Sequence, residues 1–122
     1  MATVLVIDDD QQIRRMVVRV LARDNHEVIE ASDGQEGLKL FNARHPALVI
    51  TDILMPEKEG IETIREIRAV APHVPILAMS GGGTSKAMVF LDVAKALGAD
   101  SALSKPFRAD ELIDAVNKLL QP

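Results

Sequence analysis

Short apolar runs of β-prone residues alternate five times with longer stretches of helical period, and this alternation narrows the possible folds more than any other feature of the chain. The strand-like runs are Thr3 to Asp8, Glu27 to Ala31, Ala47 to Asp52, Val74 to Ser80 and Asp100 to Ser104. Helices fill the gaps and follow the last strand. In the first, Ile13, Met16, Val17, Val20 and Leu21 form one stripe, with Arg14, Arg15 and Arg19 off it. Ile61, Ile64, Ile67 and Arg68 repeat that spacing before Pro72 ends the third helix, and Leu112, Ile113, Val116, Leu119 and Leu120 stripe the last. Strands one, three and four are almost wholly apolar, as strands covered on both faces must be. Regular βα alternation predicts a parallel sheet with right-handed crossovers and five helices divided between its two faces.

At 122 residues and 48% hydrophobic, residues 1–122 read as one domain with a real core. The net charge of -4, with both signs mixed along the chain, supplies no basic stripe, so direct nucleic-acid binding is not expected. The absence of cysteine excludes disulfides and thiolate metal sites. No charged leader opens the chain and no apolar run nears the ~20 residues of a membrane span, so a cytoplasmic protein without membrane insertion is expected.

In open α/β sheets of this kind, functional groups gather beyond the carboxyl ends of the strands, where the strand order reverses. Here those ends carry Asp8 and Asp9, Asp52, Ser80 and Lys105. Clustered carboxylates repel unless a cation sits among them. Mg²⁺ suits the cluster, because it takes hard oxygen ligands and shares phosphoryl oxygens. A carboxylate can itself be the nucleophile that becomes an aspartyl-phosphate, with a metal, an ammonium and a hydroxyl neutralising the transferred group. Without metal the carboxylates should repel one another, so Asp52→Asn is expected to stabilise the metal-free domain. Asp10 is better placed to cap the first helix than to join the cluster.

The ordered fragments "VLVIDDD", "LVITDILMPEKEG", "PILAMSGG", "GAD" and "SKPF" resemble the receiver domain of response regulators over nearly the whole length. The resemblance implies a flavodoxin-like, doubly wound sheet of strand order 2-1-3-4-5. It implies Asp52 as phospho-acceptor, Asp8 and Asp9 as the acidic pair with Asp9 the more direct Mg²⁺ ligand, and the backbone carbonyl of Leu54 as a further ligand. Ser80 resembles the switch hydroxyl and Lys105 the ammonium that pairs with the phosphoryl group, with a cis Lys105-Pro106 bond. A histidine kinase or histidine phosphotransfer protein would supply the phosphoryl group. A downstream protein would meet the surface of the fourth helix, fifth strand and fifth helix, where Met88-Val89-Phe90-Leu91 are too apolar all to face the sheet.

The chain also departs from the family pattern. Three residues before Lys105 receivers usually carry Tyr or Phe; here the residue is Ala102, so rotation of an aromatic ring cannot report phosphorylation. The segment between Ser80 and Gly98 is about three residues longer than usual near Gly81, Gly82 and Gly83, where glycine lets backbone N–H groups approach a phosphoryl oxygen. Ordering of that loop is the expected signal. Leu54 and Gly82 take the positions that flank the attacking water in receivers, and an apolar Leu54 implies slow self-dephosphorylation.

"GGGTSK" lacks the spacing of a P-loop, and His26, His45 and His73 read as surface residues of turns. The leading reading is a phosphorylation switch that assists its own phosphorylation and dephosphorylation without being an enzyme for an external substrate. Two others stand beside it: a phosphorylation-independent binding module of the same fold, and an aspartate-nucleophile phosphatase suggested by Asp8-x-Asp10, for which the chain lacks a cap insertion.

Overall fold

The computed structural model describes residues 2–53, 59–80, 95–96 and 98–121. In chain order the elements are β1 (Thr3–Ile7), α1 (Gln11–Arg23), β2 (Glu27–Ala31), α2 (Gly34–Arg44), β3 (Leu48–Asp52), α3 (Glu59–Val70), β4 (Ile76–Ser80), β5 (Ser101–Ser104) and α4 (Ala109–Leu120). All five strands are parallel, in the order β2-β1-β3-β4-β5. Four helices lie among the described residues. The expected helix around Met88–Leu91 falls outside them.

Strand alternation divides the core. Leu5 and Ile7 of β1 point to the face covered by α2 and α3, where they meet Phe41, Ile64 and Ile67. Val4 and Val6 point to the other face, against Val17, Val20 and Leu21 of α1 and Leu112 and Val116 of α4. Every residue of β3 and β4 is buried, whereas the edge strands β2 and β5 are only partly so. This is the physical reason that the central strands read as continuous apolar runs.

The helices start and stop where their side chains satisfy free backbone groups. Asp10 caps α1 by accepting from the Gln12 N–H at 2.9 Å, as expected, and Asp33 caps α2 by accepting from the Glu36 N–H at 2.8 Å. Glu36 reaches back to the Ser32 N–H at 2.7 Å. At the end of α2, His45 takes a left-handed conformation with φ 47°.

Arg68 shares the helical spacing of the isoleucines but has a different role. Its guanidinium donates to the carbonyls of Gly98 (2.8 Å), Ala71 (3.3 Å) and Val74 (2.5 Å) and pairs with Asp100 at 2.7 Å. It thereby ties the end of α3 to the segment that leads into β5. His26 is also not the surface residue expected from its turn. Its side chain is 7% exposed, Nδ1 accepts from the Ala2 N–H at 3.2 Å, and Nε2 lies 3.5 Å from an Asp24 carboxylate oxygen.

Gly37 in α2 allows a close helix–strand approach: a Cβ there would lie 2.5 Å from Ile7 Cδ1 and 2.9 Å from Cγ1. Ile7 is fully buried, and in a close-packed core its movement displaces its neighbours. Gly37→Ala is expected to destabilise the domain by about 1–2 kcal/mol, overpacking outweighing the better helix propensity of alanine. Thermal melting checks this, and Ile7→Val in the same background should recover part of the loss.

Candidate functional site

The register of the sheet brings the strand ends together. Ile7 pairs with Thr51, so Asp8 and Asp52 leave neighbouring strands side by side, and Asp52 in turn pairs with Met79 beside Ser80. Ser80 pairs with Ser104, and the Lys105 N–H donates to the Ser80 carbonyl at 2.7 Å. The chain runs from β1 outward to β2 and then back across to β3, so the cluster occupies the point where the strand order reverses.

Asp8 is fully buried and engaged at every polar group. Its N–H donates to the Ala31 carbonyl, its Oδ1 accepts from the Asp10 N–H at 2.9 Å, and its Oδ2 accepts from Lys105 Nζ at 2.7 Å. Its carbonyl accepts from Arg14 Nη1 at 2.6 Å. Asp52, also buried, accepts from Lys105 Nζ through Oδ2 at 3.0 Å. Asp9 is exposed, yet ligand oxygens of Asp8, Asp9 and Asp52 all lie within 4.8 Å of one another.

Lys105 supplies the cation that such a cluster needs. Burial, the largest single influence on its ammonium, favours the neutral form, but the hydrogen bonds and charges of Asp8 and Asp52 outweigh it and hold the pKa above the ordinary 10.5. A raised lysine pKa stabilises the folded state in full below the unfolded value and is lost as pH rises through the folded one, so this contribution disappears only above about pH 10.5. The bridge also changes the expectation of simple repulsion, because Asp52→Asn removes an ion pair together with a like charge.

Ser80 is buried, and its hydroxyl has no hydrogen-bond partner among the described residues. The Lys105-Pro106 bond is cis, as the sequence led us to expect. Ala102 lies on β5 opposite Ala78, its small side chain packed on the core beneath α2 and α3. Leu54, the loop of Gly81, Gly82 and Gly83, and Met88–Leu91 lie outside the described residues. Sequence reasoning missed Arg14, whose off-stripe position marked it as a solvent-facing residue; its side chain is 15% exposed and folds over the β1–α1 turn.

The donor set fits Mg²⁺ on its chemistry: hard carboxylate oxygens, close together, at the mouth of a parallel sheet. An α/β sheet of this order with acidic residues at its switch point defines a class of domain, and comparison with known proteins identifies its family. The chain matches the model for the response regulator receiver domain over residues 4–117, and it belongs to that family.

Response regulator MprA of Mycolicibacterium vanbaalenii is 34% identical over 119 residues, which cover 97% of this chain and 50% of that protein. The probable transcriptional regulator ycf27 of Cyanophora paradoxa is 34% identical, with 97% and 48% covered. The chain thus spans about half the length of these curated relatives. Among solved structures, a response regulator receiver domain protein from Clostridium thermocellum superposes with a TM-score of 0.88 at 34% identity, covering 98% of this chain and 94% of that one. NtrX from Brucella abortus gives 0.91 at 33% identity, covering 98% of this chain and 26% of its own. Receivers act in two-component signalling: histidine kinases phosphorylate response regulators, which act on downstream effectors, and receivers generally bind Mg²⁺ at an acidic pocket.

Lys105→Met leaves two buried carboxylates without their cation. The expected loss of stability lies between the ~1 kcal/mol of an exposed pair and the ~3–5 kcal/mol of a fully buried one. Denaturant unfolding at neutral pH measures it, and added Mg²⁺ should shrink the difference from wild type. A variant as stable as wild type without metal would show that Lys105 does not hold the cluster together.

Proposed function

We propose that the chain is a phosphorylation switch whose acceptor is Asp52 and whose residues 1–122 form one receiver domain, working in the cytoplasm. The carrying observation is the buried Asp52 carboxylate 3.0 Å from an ammonium and next to the cluster of Asp8 and Asp9. Among the described residues, no helix is long and apolar enough to cross a membrane.

In the proposed reaction a carboxylate oxygen of Asp52 forms a bond to phosphorus as the N–P bond of a partner's phosphohistidine breaks. The electron pair stays on the imidazole nitrogen, which takes up a proton. Asp9, Asp8 and Asp52, with the Leu54 carbonyl, would hold Mg²⁺, which when bound supplies positive charge for the phosphoryl oxygens. Lys105 would add a second charge, and the Ser80 hydroxyl would donate to a phosphoryl oxygen. The partner is a histidine kinase or phosphotransfer protein. The downstream protein docks on the face made by β5 and α4, with a coupling between phosphorylation and docking of about 1–3 kcal/mol.

A phosphorylation-independent module of the same fold would have no need of a buried carboxylate pair, since burying charge is costly without a function to keep it. An aspartate-nucleophile phosphatase would use the Asp10 carboxylate, but in this chain Asp10 is occupied as the cap of α1.

Intact mass after incubation with a small acyl-phosphate donor tests the proposal. One phosphoryl adduct is expected on the wild type with Mg²⁺, and none without Mg²⁺ or on Asp52→Asn. An adduct that persists on Asp52→Asn would assign the acceptor elsewhere, and none on the wild type would favour the binding module.

A further inference from the structure

Three of the four polar groups of Asp8 bond to its neighbours on β2, in the β1–α1 turn and at Lys105, but the fourth, its carbonyl, is held by a side chain from the helix that follows. Arg14 Nη1 donates to that carbonyl at 2.6 Å, while Nε donates to Glu30 on β2 at 3.3 Å. The guanidinium therefore clamps the turn between Asp8 and Asp10 from above and is anchored at its rear by the edge strand.

The two acidic residues of that turn depend on the clamp to different degrees. Asp8 is fixed directly by its own carboxylate, through the Asp10 N–H and Lys105. Asp9 has no hydrogen bond to its carboxylate among the described residues and is exposed, so only the path of the backbone aims it at Asp8 and Asp52. Arg14 is the side chain from outside the turn that holds this backbone, alongside the bonds of the Asp8 N–H to Ala31 and of the Asp10 N–H to Asp8 Oδ1, and so it helps to place Asp9.

We propose that Arg14 is a positioning residue for the metal site: by holding the Asp8 carbonyl it keeps the Asp9 carboxylate within reach of an ion shared with Asp8 and Asp52. This rests on the reading of the acidic cluster as an Mg²⁺ site. Its direction runs against simple electrostatics. Arg14 is a cation close to a cation site, so deleting its charge should by itself strengthen Mg²⁺ binding. Loss of an outer support of a metal ligand instead weakens binding, commonly by about 10–100-fold.

The experiment is a calorimetric titration with Mg²⁺ of the wild type, Arg14→Gln, Asp9→Asn and the double variant, with far-UV circular dichroism on each. The expected result is a dissociation constant raised about tenfold in Arg14→Gln, with no further rise when it is added to Asp9→Asn, because the two act through one carboxylate. An unchanged or lower constant in Arg14→Gln overturns the proposal, as do fully additive losses in the double variant. Should Arg14→Gln fail to fold, Arg14→Met, which has no donor for the Asp8 carbonyl, replaces it under the same two criteria. A wild type that takes up no Mg²⁺ overturns the metal reading along with the inference; a wild type that binds while Arg14→Gln binds equally well overturns the inference alone.

Discussion

The ammonium of Lys105 between the carboxylates of Asp8 and Asp52 is the contact on which the functional end of the sheet depends. Two carboxylates removed from water on adjacent strands would each carry a desolvation cost of several kcal/mol, and they can share a site only if a cation shares it too. Lys105 comes from beyond β5, 97 residues along the chain from Asp8, and reaches both acids across the end of β4. That reach requires the strands to be in their observed order and register, so the ion pair also reports that the sheet is correctly assembled.

The sheet supplies this accuracy through packing that is tight on both faces. Ile7 immediately precedes Asp8, is fully buried, and meets the bare backbone of Gly37 in α2. Ile53 immediately follows Asp52, is buried among the residues beneath α2 and α3, and donates its N–H to Met79. Each buried acid is thus attached to an apolar neighbour packed in the core. The carboxylates inherit their positions from the core and not from the loops that follow.

Period and punctuation in the sequence were enough to read the five strands, their parallel direction and the acidic ends, because strand burial and helix caps are local consequences of residue type; the order of the strands was implied only by the resemblance to receivers. Asp10 is an example: its place one residue before a helical stripe already marks it as a cap. Long-range contacts of polar side chains were not legible. Arg68 sits on an apolar spacing yet directs its donors to Gly98, Val74 and Asp100, and His26 sits in a turn yet accepts from the Ala2 N–H, just before β1. Arg14 lies off the stripe, and nothing in its neighbours reveals that it folds back over the preceding turn. In each case the partner is fixed only once the sheet has formed, and spacing along the chain does not encode it.

The site also divides into groups that are satisfied and groups that are not. Asp8 has all of its bonds, whereas the Ser80 hydroxyl is buried with no partner among the described residues. A buried hydroxyl without a partner raises the free energy of the state that contains it by about 1–3 kcal/mol. In the reading proposed for Asp52, a phosphoryl oxygen arriving beside it would remove that cost, and would do so only in the phosphorylated form. A ligand shifts a conformational equilibrium solely through differential interaction with its two states. The unmet bond at Ser80 is such a differential, of the size that couples two sites in a signalling protein. With alanine at position 102 no aromatic ring is present to carry the change outward along β5. In that reading the differential sits at the end of β4, where the Ser80 carbonyl accepts from the Lys105 N–H at 2.7 Å, so the hydroxyl and the ammonium that would meet the phosphoryl group are tied to each other through the backbone.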